Sequence, residues 1–138
     1  MRRNMEKTFD FLKNRTQVQF VATINGDRPS LRPFGSIMKF DDKIYVMTNA
    51  QKNVAKQLAA NNHVCIVALD GGEWIRVNCD LIDDSDNTEA KKAVLDEFEW
   101  AAGLGYSLES PDFKVFYLAN ADSTIYSAAG KELVKEQF

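Results

Sequence analysis

Histidine occurs once, at His63, and cysteine twice, at Cys65 and Cys79. One imidazole and two thiols without CxxC spacing do not build a histidine-rich metal centre or a zinc motif. The lone ring is expected to cap the start of a strand. The same scarcity, with no nucleophile elbow, removes a serine or cysteine triad. Both cysteines fall in apolar strand patterns, so buried free thiols in a reducing cytoplasm are expected. The seven glycines form no GxGxxG or GxxxxGK motif, and Gly103-Leu104-Gly105 lacks both the third glycine and a following helix. A dinucleotide on a Rossmann domain is therefore disfavoured. No apolar run approaches the length of a membrane span, and Met1-Arg2-Arg3-Asn4 is not followed by the apolar stretch of a secretory leader. Basic excess is also missing: 17 lysines and arginines face 20 acids, for a net charge of −3, so nucleic acid is not an expected partner.

What remains is ordinary globular usage, 45% hydrophobic and 27% charged over 138 residues, which fits one domain with a real core. Charge is unevenly spread. Residues 1 to 56 carry 11 basic and 5 acidic side chains, whereas residues 57 to 138 carry 6 and 15. An anion site, if the chain has one, belongs to the first half.

The most informative stretch is residues 28 to 56, RPSLRPFGSIMKFDDKIYVMTNAQKNVAK. Ser30 to Phe40 alternates Leu31, Pro33, Gly35 and Ile37 against Arg32, Phe34, Ser36 and Met38, the pattern of a strand. Pro29 and Pro33 lack an N–H, so that strand is expected at an edge, or with its start facing something other than a neighbouring strand. Gly35 lets a foreign group approach the backbone. Asp41-Asp42 makes a turn into a hairpin partner, Lys43 to Thr48, and a helix follows from about Gln51 to Ala60 with Val54, Ala55 and Leu58 on its apolar side. Lys52 is expected in the first helical turn, where a cation opposes the partial positive charge of the helix start unless an anion sits between them. Arg32 on the neighbouring strand can reach the same anion.

Elsewhere Met5 to Asn14 has helical spacing, and Gln17 to Asn25, His63 to Leu69 and Glu73 to Asp83 alternate as strands. Ser85 to Trp100 opens on cap-rich residues and continues at helical spacing, with a loop from Ala101 to Asp112 behind it. Phe113 to Leu118 and Ser123 to Ser127 are expected as two closing strands. The order does not alternate strand with helix, so a mostly antiparallel barrel fits better than a doubly wound sheet. Residues 129–138 read as a charged tail. The acidic pairs Asp41-Asp42 and Asp83-Asp84 fall at turns, where solvated residues are the common case.

The run PSLRPFG, followed after a hairpin by TNAQKNVAKQL, resembles the flavin-binding segment of the pyridoxamine 5′-phosphate oxidase-like family of FMN-binding split barrels, and the resemblance extends from about Phe9 to Ser127. It implies a mainly β (α+β) fold, a six- to seven-stranded antiparallel split β-barrel with two or three flanking helices, in a single domain over residues 1–128. It implies FMN as cofactor, with Arg32 and Lys52 on the phosphate and Pro33, Phe34 and Gly35 bordering the ring. Thr48 and Asn49 would hydrogen-bond the phosphate or ribityl chain, with Gln51 beside them. Trp74 and Trp100 are each large enough to stack on a flavin, with ordinary packing as the alternative for both. Trp74 is preferred because Arg76 shares its strand face. Where family strands bend at a glycine, this chain has Cys79.

The resemblance further implies a homodimer with FMN at the interface, and an FMN-dependent oxidoreductase or flavin reductase acting on a small molecule or an electron donor such as NAD(P)H. The enzyme that gives the family its name continues into an arginine-rich C-terminal segment, to which GKELVKEQF has no equivalent, so a different substrate is expected. Two alternatives stand beside this reading. One is a non-catalytic carrier of flavin, or of heme on His63; the other is a deazaflavin-dependent reductase of the same fold. The sequence names no general acid or base.

Overall fold

The computed structural model describes residues 4–138, so the basic opening Met1-Arg2-Arg3 lies outside the described residues. Among those residues the chain forms eight strands and four α-helices: α1 (Glu6–Asp10), β1 (Gln19–Asn25), β2 (Arg28–Phe34), β3 (Met38–Phe40), β4 (Lys43–Asn49), α2 (Asn53–Ala60), β5 (His63–Asp70), β6 (Glu73–Asp83), α3 (Thr88–Glu97), α4 (Glu99–Gly103), β7 (Phe113–Ser127) and β8 (Glu132–Gln137). Every strand pairing is antiparallel, in the order β2-β1-β5-β6-β7-β4-β3 with β8 also on β7. The sheet curls without closing, an α+β split-barrel-like fold. No helix among the described residues is long and apolar enough to cross a membrane.

Alternation decides which side chains fill the interior. Val21 on β1, Ile66 and Ala68 on β5, Ile75 and Val77 on β6, and Leu118 and Ile125 on β7 share one core, each at most 6% exposed. Met5, Phe11 and Leu12, from α1 and the π-helical turn Phe11–Arg15 behind it, join that core. A second cluster lies on the other face of β4, where Tyr45 and Met47 meet Ala90 and Val94 of α3 and Ala101 of α4. Burial on both faces explains why β4 is apolar almost throughout.

Several expectations are corrected by the backbone. The strand expected over Ser30 to Phe40 is two, β2 and β3, and β2 is the expected edge strand. The two closing strands are one, β7, whose middle residue Asn120 takes a left-handed φ of 51°. Asparagine tolerates that conformation, so the chain kinks and continues. Across from it the β6 register shifts between Asn78 and Asp80, which puts the bend at Cys79. The stretch expected as a tail forms β8, reached through Gly130 at φ 89° and paired along residues 122 to 126 of β7. The helix expected over Ser85 to Trp100 breaks at Phe98, whose extended backbone separates α3 from α4.

Cys65 and Cys79 are both free. Cys79 packs in the core, and Cys65 sits one register step away on the other sheet face, opposite Asn78, so the thiols point away from each other. Burial pushes both pKa values up, most strongly at Cys79.

Candidate functional site

Arg32 stands on β2 directly opposite Val21, so its side chain follows that valine toward the interior at the open edge of the barrel. Its Nη1 donates to Val21 O at 3.1 Å and to Thr23 Oγ1 at 2.7 Å, and its Nη2 donates to Gln57 Oε1 on α2 at 2.7 Å. All three acceptors are neutral. Among the described residues Arg32 has no carboxylate partner, whereas Arg15 holds both Asp70 and Glu73. Burial without a counter-ion lowers the Arg32 pKa from its ordinary value. A guanidinium has five N–H donors. The Nε–H and one Nη2 hydrogen of Arg32 are not used by these bonds, and the charge is uncompensated.

Lys52 is the N-cap of α2, one position earlier than the sequence pattern places it, with extended backbone and no side chain capping the helix. Its ammonium has no partner among the described residues and its side chain is exposed. Asn49, the last residue of β4, shapes the turn between: its Oδ1 accepts from Gln51 N at 2.7 Å and its carbonyl from Lys52 N at 3.0 Å. Its Nδ2 donates to Tyr106 Oη at 2.8 Å. Thr48 is buried, and its hydroxyl has no hydrogen-bond partner among the described residues. Ser36 accepts from Met47 N at 3.0 Å and so ties the end of β2 to β4 where the sheet is split.

These groups line one cleft of about 180 Å³. It brings together seven of the nine residues expected from sequence: Arg32, Pro33, Phe34, Gly35, Thr48, Asn49 and Lys52. Gln51 lies outside the lining and donates to Asp112 Oδ1 at 3.2 Å. Trp74 is elsewhere, stacked on Tyr126 with centroids 4.4 Å apart and Arg76 over its ring. Trp100, Leu104 and Tyr106 complete the lining from α4 and the segment behind it; Trp100 is one of the two tryptophans expected to be able to stack on a ring, with packing as the alternative, whereas sequence reasoning missed Leu104 and Tyr106. Gly105-Tyr106 in a glycine-bearing loop was the available signal for Tyr106; Leu104 carried none.

Other features are weaker candidates. A larger hollow of about 490 Å³ beside the end of α2 is lined by Lys56, Lys114 and Asp83, and Lys114 is paired with Asp83 at 2.9 Å. His63 is not part of the small cleft: its Nδ1 lies 2.5 Å from Asp80 Oδ1, and Asp80 also accepts from Asn120 Nδ2 at 2.9 Å. Among the described residues no group of histidine, cysteine and acidic side chains forms a metal site.

The fold is a split barrel, and one cleft at its open edge gathers two cations without carboxylate partners, an open hydroxyl and an uncapped helix start. Residues 5–122 match the family described as pyridoxamine 5′-phosphate oxidase, and the chain belongs to that family. Its fold matches the crystal structure of a NimC/NimA family protein from Clostridium acetobutylicum, with 29% identity, a TM-score of 0.89, and coverage of 97% of this chain and 92% of that one. A pyridoxamine 5′-phosphate oxidase-related, FMN-binding protein from Nostoc punctiforme shares the fold at 15% identity and TM-score 0.67, over 94% and 86% of the two chains. A heme-binding protein from Mycobacterium smegmatis does so at 16% and 0.69, over 99% of this chain and 59% of that one. No curated protein matches the chain.

Proposed function

We propose that the chain binds FMN in this cleft, with the phosphate on Arg32 and Lys52, and serves as an FMN-dependent oxidoreductase drawing on an electron donor such as NAD(P)H. The observation that carries the reading is that Arg32, which has no carboxylate partner, and Lys52, which has no partner among the described residues, line the same cleft. A dianionic phosphoryl group satisfies both cations, and the bare N–H groups at the start of α2 favour it further. The Thr48 hydroxyl is free to bond phosphate or ribityl oxygen, and the Pro33 to Gly35 backbone offers a flat border for the ring. FMN supplies two-electron chemistry when bound. The chain's part is to fix the phosphate, hold one ring edge and leave a face accessible. The cleft is smaller than the roughly 300 Å³ of pockets that enclose a small ligand, so the ring extends beyond it. A second copy of the chain is the proposed cover. The outer face of β1, β2 and β5 leaves Phe20 at 40%, Leu31 at 67% and Leu69 at 62% exposure, an apolar surface suited to such a homodimer. Two unbridged thiols fit a cytoplasmic setting.

The test is titration of the protein with FMN and with riboflavin, which lacks the phosphate. Wild type is expected to prefer FMN, and Lys52→Ala and Arg32→Ala are each expected to weaken FMN binding about tenfold or more, as the loss of a charge-assisted hydrogen bond predicts. Riboflavin affinity should change little in Lys52→Ala, because Lys52 has no structural partner. Unchanged FMN affinity in both variants would place the phosphate elsewhere.

A further inference from the structure

The cleft has two unlike ends. Arg32 and Lys52 are the cations of its lining, and no acid lies among the lining residues. If one phosphate engages both, no positive charge is left in the lining for a second anion. The remaining wall comes from α4 and the segment just behind it, and Ala101, fully buried, pins α4 into the second core. That anchor leaves Trp100 46% and Leu104 72% exposed beside the cleft, four positions apart and so on one side of the turn. Tyr106 completes the wall; its hydroxyl accepts from Asn49 and its ring packs 5.4 Å from Phe113, so it is held in place. Two large apolar side chains turned outward at a ligand cleft mark a contact surface.

We propose that the Trp100, Leu104 and Tyr106 wall is the subsite for an uncharged, planar aromatic substrate. The proposal rests on the flavin reading above and deepens it. A planar, uncharged ring gains from burial against Trp100 and Leu104 and loses nothing by lacking a counter-ion. A phosphorylated ring would meet that apolar wall with its anion unpaired once the two cations are engaged. The substrate class is thereby set by α4 and the segment behind it rather than by the strands that carry the cofactor.

The experiment first titrates the protein with FMN, then titrates the loaded protein with menadione, an uncharged bicyclic quinone, and with pyridoxine 5′-phosphate, a ring bearing a phosphate. Visible flavin absorbance reports binding. Menadione is expected to saturate and to bind about tenfold or more tighter than pyridoxine 5′-phosphate. In protein saturated with FMN, Leu104→Asp should weaken menadione about tenfold. Tighter or equal binding of the phosphorylated ring, or a menadione affinity indifferent to Leu104→Asp, overturns the proposal. Failure of FMN itself to bind is a separate result that removes the flavin reading. Menadione is then followed by Trp100 emission in a Trp74→Phe background. Saturation that Leu104→Asp abolishes keeps the wall as a site for uncharged rings, and absence of saturation ends it.

Discussion

Arg15 and Arg32 show how differently one chain treats the same side chain. Arg15 closes the β5–β6 hairpin against two carboxylates, which raise its pKa; Arg32 is held only by neutral oxygens, and burial lowers its pKa. The difference can be removed by one substitution. Gln57→Glu puts a carboxylate where Arg32 Nη2 now donates at 2.7 Å, so the melting temperature should rise while FMN affinity falls about tenfold. Calorimetric titration that finds FMN affinity unchanged would show that Arg32 does not serve the ligand. Asp80 gives a pH test at the same scale. Hydrogen bonds from Asn120 and His63 lower its pKa below the ordinary 3.8, so the folded state favours the carboxylate. The stabilisation is present above that value and is lost as pH falls through the lower folded pKa. Wild type should therefore be slightly more stable than Asp80→Asn at neutral pH, with denaturant midpoints converging below pH 3.8. The thiols offer a third check. With both pKa values raised, a thiol reagent should label Cys65 slowly in the folded protein and Cys79 only on unfolding.

Among the elements, α1 depends on a residue far away in sequence. Glu136 of β8, 4% exposed, accepts from Lys7 N at 3.1 Å and Thr8 N at 2.6 Å, and Thr8 Oγ1 donates to the same carboxylate at 2.7 Å. Glu136→Ala strips the cap from α1 and buries unpaired donors, for an expected loss of about 2 kcal/mol in denaturant unfolding. β8 carries this role although its sequence, ELVKEQ, shows charge and little alternation, which is why it reads as a tail. Edge strands need only one buried face, so their signal is weak. β6 was legible to the residue because it alternates cleanly over Glu73–Asp83, whereas β7 reads as two strands because Ala119 to Asp122 has turn composition. At the cleft, Arg32 and Lys52 were legible as cations in unusual places. Trp100 was legible only as one of two tryptophans able to stack, and Leu104 not at all, because their place at the cleft comes from where α4 docks, and that is decided by tertiary contacts of Ala101 and Phe98.

For the whole molecule, the uncovered apolar face predicts association. Sedimentation of the wild type should give a dimer, and Leu31→Asp with Leu69→Asp should give a folded monomer, since both side chains are exposed in the single chain. A wild type that sediments as a monomer at micromolar concentration would remove the proposed cover over the ring. β7 has a further consequence. It pairs with β6 between residues 116 and 127, with β4 through residues 113 to 117, and with β8 through residues 122 to 126. The strand that ends in Thr48 and Asn49 thus waits for a partner made more than sixty positions later. During translation those two side chains emerge before Phe113 and Lys114 exist to pair with them, so the proposed ligand seat is completed only once β7 has been made. On the proposed flavin reading, ribosome-bound chains stalled before Phe113 are expected to emerge colourless, and chains stalled well beyond Ser127 to carry flavin colour.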